Sequence, residues 1–288
     1  MVLESLFTSR DVLKHPLFML FISIVVGSAS LWIAYFTFPG SSSILAIAFV
    51  TTGLVPIMHA VFAREEEREA ARPGFAASFL ARHFKVIEVY AWFFVGLVLT
   101  YAFWYAAMPL DTRQVLFSEQ EKTLASIGSL RENLSGNAVI PITACGREPW
   151  CWFNVIFLNN SSVLLASVLL SFVYGAGAVF LIGWNASVLG VLLGKDLIAF
   201  AGSGGILAGL GAAAKKSLGL LPHGIPEWLG YFVGAIAGGV ISAAVSKRKW
   251  HRHEIRTISM DVSVMLFYAV ALLFLGALIE AIVIAAAL

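Results

Sequence analysis

The chain has 288 residues, of which 59% are hydrophobic and 12% charged, with a formal net charge of +2. A soluble domain carries about 25% charged residues, so the composition excludes an ordinary water-soluble globule, and the charge balance gives no basic excess for nucleic acid. Mean hydropathy is +0.87, and several apolar runs reach the ~20 residues that a helix needs to cross a bilayer core.

These runs do not alternate apolar and polar residues as the strands of a barrel would. The expected fold is therefore all-α: one integral membrane domain over residues 1–288, a polytopic transmembrane helix bundle of six or seven spans with one broken or re-entrant segment.

In chain order, the first span is expected from Leu17 to Phe38. Gly27-Ser28-Ala29-Ser30 could mimic a signal-peptide cleavage site, but the apolar run continues through Phe36, so a retained span is the better reading. Pro39 to Ser43 reads as a tight turn, and a second span follows from Ile44 to Phe62. Residues 64–85 carry a dense run of charges, then Pro73-Gly74, then aromatics at mixed helical spacing; they suggest an amphipathic segment on the inner membrane surface. The third span is expected from Val86 to Met108.

Residues 109–153 form the one long polar segment, read as an outer loop. It holds Cys145 and Cys151, which close a small loop and are expected to form a disulfide on the oxidising side of the membrane. It also holds the sequon Asn133-Leu134-Ser135. The fourth span is expected from Ser162 to Ile182, opened by Asn159-Asn160-Ser161-Ser162 as helix caps, with Phe157 and Leu158 stapling the start. Residues 185–221 are apolar but interrupted by Lys195-Asp196 and by Gly202-Ser203-Gly204-Gly205. The sixth span runs from Glu227 to Val245, and the last from Val262 to the C-terminus.

Lys and Arg placement orients the chain. Arg10 and Lys14 put the N-terminus in the cytoplasm, and the basic segments at 64–85 and 247–256 fall on the same side if residues 185–221 cross once. The result is a multi-pass cell-membrane protein with seven crossings.

Leu221-Pro222-His223-Gly224-Ile225-Pro226-Glu227 is the segment richest in chemistry. His223 and Glu227 stand four apart, a spacing that on a helix shares one face and could ligate a metal. Pro226 opposes that picture: it lacks an amide hydrogen and fits the first position of a helix. Glu227 would then occupy the first turn, favoured by the helix dipole, with His223 in the preceding loop. The candidate polar site is Asn159, Asn160, Asn185, His223 and Glu227. Lys195, Asp196 and Glu280 are further polar groups inside the membrane region, where such groups ask for a reason. Lys195 and Asp196 have two readings: part of a broken-helix transport site, or the end of a short helix with Lys195 snorkelling.

Glycines from Gly175 to Gly194 and at Gly234, Gly238 and Gly239 suit close helix packing, within the chain or in a homodimer. Phosphate-loop, zinc-protease and serine-hydrolase motifs are missing. No enzyme, cofactor or metal is expected.

Phe157-Leu158-Asn159-Asn160, the glycine run with Trp184-Asn185 and Leu189-Gly190, and the Leu221 to Glu227 segment resemble the stage II sporulation protein M family. The resemblance covers residues 153–245; the outer cysteine pair is not part of it. The namesake is a polytopic membrane protein of engulfment that holds peptidoglycan-degrading partners at the septum. The resemblance implies a non-enzymatic membrane scaffold that binds membrane or extracytoplasmic proteins. The alternative is a transporter or channel whose polar site lies at the broken helix and the His223 to Glu227 segment.

Overall fold

The computed structural model describes residues 9–70, 79–132, 145–174, 177–246 and 252–287. Every element among them is helical: α1 (Ser9–Lys14), α2 (Phe18–Thr37), a 3-10 turn (Pro39–Ser41), α3 (Ser42–Ala70), α4 (Phe79–Ala107), α5 (Leu110–Leu116), α6 (Ser118–Glu132), α7 (Pro149–Tyr174), α8 (Ala178–Ser246) and α9 (Arg252–Ala287). Seven segments are long and apolar enough to cross a membrane: Phe18–Thr37, Pro39–Val61, His83–Ala107, Pro149–Tyr174, Ala178–Gly202, Gly204–Ser242 and Ile258–Ala286.

Burial follows from this composition. Phe21, Val25 and Phe36 on α2, Leu165 and Val173 on α7, and Phe267 and Ile282 on α9 are exposed apolar residues of spanning helices. A bilayer makes that arrangement favourable, because lipid tails are as apolar as the side chains.

α8 organises the bundle. A straight helix of 69 residues would run about 100 Å, over three times the ~30 Å bilayer core. It does not run straight: Gly205 has φ 78° and ψ 175°, outside the helical region. Only a residue without Cβ takes that backbone readily. The chain folds back there into a helical hairpin, limb α8a before Gly205 and limb α8b after it. Lys216 Nζ reaches Asp196 Oδ2 at 2.9 Å across the hairpin. A Cβ on Gly209 would fall 2.4 Å from the Leu197 carbonyl oxygen, so the limbs touch at backbone distance.

Helix α4 packs on α8, as do α7, α9 and α3; α2 pairs with α3 and α4. Tyr90 stacks on Phe232, and Phe94 meets Phe232 and Trp228, which joins α4 to α8b through aromatic faces. On the other limb, Gly190 lies under Tyr101 and Gly194 under Tyr105. In α8b, Gly234 faces Leu164 and Gly238 faces the Val168 carbonyl of α7. These glycine faces are thus covered by helices of the same chain.

Several sequence expectations need correction. The fourth span is not Ser162–Ile182: α7 begins at Pro149, ends at Tyr174, and residues from Ala178 belong to α8. The Ser171 hydroxyl, accepting from the Ala178 amide, helps close that turn. Asn159 to Ser162 therefore sit inside a helix and cap nothing. Residues 185–221 are not one broken crossing. Ala178–Gly202 crosses, the chain turns at Gly205, and α8b continues without interruption into the sixth span. Pro222 and Pro226 are both internal to α8b, so Pro226 does not start a helix. A proline frees the carbonyl four residues earlier, and membrane bundles tolerate this through neighbouring groups. Residues 64–70 end α3 and 79–85 begin α4, so 79–85 form no separate surface helix; 71–78 lie outside the described residues.

Within the polar segment 109–153, α5 and α6 fold into a cap, and residues 133–144 lie outside the described residues. Leu116 and Phe117 are buried against Tyr101, Tyr105, Leu31 and Val191. Phe117 packs edge-on to Tyr101 and tilted against Tyr105. The Tyr105 hydroxyl donates to Glu121, and Arg113 lies over the Tyr105 ring at 4.9 Å. Gln120 Nε2 donates to the Ser43 carbonyl at 3.4 Å and to Ser187 Oγ at 3.2 Å. The sequon at Asn133 falls outside the described residues. Cys145 and Cys151 sit at disulfide distance, with Cα atoms 5.2 Å apart, at the start of α7. Trp152 Nε1 donates to the Gly146 carbonyl across that small loop.

Candidate functional site

Because α8b runs through both prolines as helix, His223 and Glu227 do share one face, one turn apart. That face meets α9 at Gly276. A Cβ there would lie 2.6 Å from Glu227 Cγ, 3.2 Å from Glu227 Oε1 and 3.0 Å from the His223 carbonyl oxygen. Glycine is what lets the two helices approach with a glutamate between them.

Glu280 stands one turn beyond Gly276 on the same face of α9. Its carboxylate acts electrostatically on Glu227, and both act on Tyr231, one turn further along α8b. From α7, the buried Asn160 lies within electrostatic reach of the Glu227 carboxyl group. Asn160 Oδ1 accepts from Asn159 Nδ2 at 3.2 Å. Asn160 lies near the middle of the Pro149–Tyr174 span. The cluster is therefore at bilayer depth, where an ionisable side chain is costly and faces the bundle interior. Glu227 Oε1 and His223 Nδ1 are each fully buried and have no hydrogen-bond partner.

The candidate residues thus divide. Asn159, Asn160, His223, Glu227 and Glu280 converge between α7, α8b and α9. Asn185 does not join them: its amide donates to the Leu181 carbonyl of its own helix at 2.8 Å. Asp196 pairs with Lys216 across the hairpin, while Lys195 is exposed. Sequence reading missed Gly276, Tyr231 and Lys216. For Gly276 and Tyr231 the helical spacing to Glu280 and Glu227 was a usable signal. For Lys216 nothing local announced a partner twenty residues away.

Among the described residues, no group of three or more His, Cys, Asp or Glu side chains could hold a metal ion. The arrangement places acidic and hydrogen-bonding side chains together between three helices.

These features define a multi-pass α-helical membrane protein with a polar cluster buried between three spans. The family model for stage II sporulation protein M matches residues 89–283, from the middle of α4 to near the end of α9, and the chain belongs to that family. The match extends well beyond the 153–245 segment that carries the sequence resemblance, and it contains every member of the polar cluster. No curated protein and no solved structure matches the chain.

Proposed function

We propose that this protein is a non-enzymatic membrane scaffold that binds partner proteins at the end of the bundle carrying the α5–α6 cap. The observation behind this reading is the α8 hairpin. Limb α8a passes Tyr105 at Gly194 and continues beyond Asp196 before turning at Gly205. Helix α4 stops at Ala107, so the hairpin projects past it by roughly 15 Å. Its tip exposes Ile206 at 73% and Leu207 at 83%. Lys216 pairs with Asp196 at the base of the hairpin, and the neighbouring Lys195 and Lys215 are exposed. An apolar tip above a charged base is a surface that a protein can cover. Family membership supports the same reading.

Lys and Arg placement supports a cytoplasmic N-terminus in the cell membrane. The cap, the hairpin tip and the Cys145–Cys151 pair then face the extracytoplasmic side, where a disulfide persists. The test is site-specific photo-crosslinking at positions 206 and 207 in native membranes, with pull-down in mild detergent. Discrete crosslinked protein adducts, lost in Ile206→Asp with Leu207→Asp, are expected. Lipid adducts alone, with no stable partner or self-association, would refute the scaffold reading.

A second reading, a transporter or channel, is favoured by the convergence of Asn160, His223, Glu227 and Glu280 in mid-span. Solute or ion flux in proteoliposomes, abolished by Glu227→Gln, is its test. Equal leak with and without the protein would rule it out.

A further inference from the structure

We propose that the outward face of α7 docks a second copy of this chain, the two copies meeting as a parallel α7–α7 pair about a twofold axis normal to the membrane. The inference goes beyond the scaffold reading: it concerns a face inside the bilayer and does not depend on the α8 hairpin.

The sign of a partner is polarity where lipid is expected. α7 is the least covered spanning segment, 22% buried inside the bundle. It turns Asn160, Leu164, Ser167 and Ser171 inward. Its other face is not uniformly apolar, because Asn154, Asn159 and Ser162 are exposed there. Ser162 satisfies its own hydroxyl by donating to the Asn159 backbone carbonyl at 2.6 Å. Asn159 Nδ2 donates to Asn160, but Asn159 Oδ1 and the whole Asn154 amide have no hydrogen-bond partner among the described residues. Asn159 lies about 15 Å along the helix from Pro149, close to the middle of a ~30 Å core. Lipid tails offer no hydrogen bond there, so an exposed amide is costly until another helix supplies one.

The spacing of the neighbouring residues says which helix. Leu158, Ser162, Leu165, Leu169 and Phe172 are all exposed. They alternate steps of four and three residues, as the a and d positions of a heptad do. In that register Ser162 and Leu169 are a, and Leu158, Leu165 and Phe172 are d. Asn154 then falls at g and Asn159 at e. Across a parallel pair, a g residue of one helix faces the following e residue of the other. Asn154 of one copy thus meets Asn159 of its partner, and the twofold axis repeats the contact. An amide both donates and accepts, so the face is complementary to itself. Two copies inserted the same way lie parallel and at equal depth, which this register requires. Ser162, small and on the seam, lets the helices approach closely. The glycine faces are no rival surface, since Gly190, Gly194, Gly234 and Gly238 are covered within the chain.

Cysteine crosslinking tests the proposal. The full chain carrying Ser162→Cys, or Phe267→Cys on the exposed face of α9 as control, is reconstituted in phosphatidylcholine vesicles at high lipid excess and oxidised. A dimer joined through position 162, with little through 267, is expected. Adding Asn154→Leu and Asn159→Leu to Ser162→Cys is expected to remove most of that dimer. The crosslink in the chain that keeps both asparagines decides the matter even where the leucine variant fails to fold. Monomer alone at position 162, equal crosslinking at 162 and 267, or an undiminished dimer in a folded leucine variant overturns the proposal. So does oxidation in native membranes that joins position 162 to a different protein in place of the dimer.

Discussion

Glu227 rests on Gly276: a single methyl group at residue 276 would come within 2.6 Å of the glutamate Cγ and 3.0 Å of the His223 backbone oxygen. The first contact could be relieved by a side-chain shift. The second is to backbone, so α8b and α9 would have to separate. Gly276→Ala is expected to destabilise the protein by about 1–3 kcal/mol, the usual cost of overpacking, read as a lowered thermal transition in detergent. An unchanged transition would mean that the two helices do not approach as described.

The turn at Gly205 makes a sharper contrast. A Cβ there meets nothing within 4 Å, so the only penalty is the positive φ. Gly205→Ala is expected to cost about 1–3 kcal/mol, the penalty for an L residue held at positive φ with extended ψ. Gly202→Ala, in helix and with equally open space, is expected to be neutral or slightly stabilising because alanine favours helix. Limited proteolysis around the turn, run on both variants, separates the two effects; equal behaviour would argue against the hairpin.

How much of this was open to sequence reading follows from the range of each signal. A bundle of six or seven spans was legible because hydropathy is local and runs of ~20 apolar residues have few other uses, although the bounds of the fourth and fifth were not. The cysteine pair was legible for the same reason, being six residues apart. The hairpin was not. Gly202 to Gly205 was read as a break within one crossing, since a glycine run does not say whether a chain bends slightly or reverses. Pro226 misled in the opposite direction. Local preference places proline at a helix start, whereas packing of α8b against α4, α7 and α9 carries helix through both prolines. Of the candidate polar site, Asn160, His223 and Glu227 come together between α7, α8b and α9, but the approach of α9 depends on Gly276, which carries no polar signal of its own.

The cap should loosen when its anchor is removed. Tyr105 donates to Glu121 from a buried position. Tyr105→Phe is expected to cost about 1 kcal/mol, the net worth of such a bond. It should also raise amide hydrogen exchange in α6 while leaving α7 and α9 unchanged. Uniform protection across α6 in both proteins would show that the cap is held by its Phe117 contacts alone.

The ion pair at the base of the hairpin is half exposed at Lys216 and less so at Asp196, 40% and 19% by side chain. Solvent screening limits it to below ~1 kcal/mol. Asp196→Lys is expected to lower the thermal transition slightly through like-charge contact with Lys216, and the swapped pair Asp196→Lys with Lys216→Asp is expected to restore it. Failure of the swap to restore stability would separate the two residues in space.

The meeting of Glu227 with Glu280 is tested most directly by a double-mutant cycle on thermal stability, using Glu227→Gln, Glu280→Gln and the two together. Residues in contact couple by about 0.5–3 kcal/mol, whereas distant ones add. The cluster described above requires coupling: Glu227 and Glu280 share one helix seam at Gly276, so replacing one changes what replacing the other costs. Strict additivity of the two substitutions would place the carboxylates apart and contradict it.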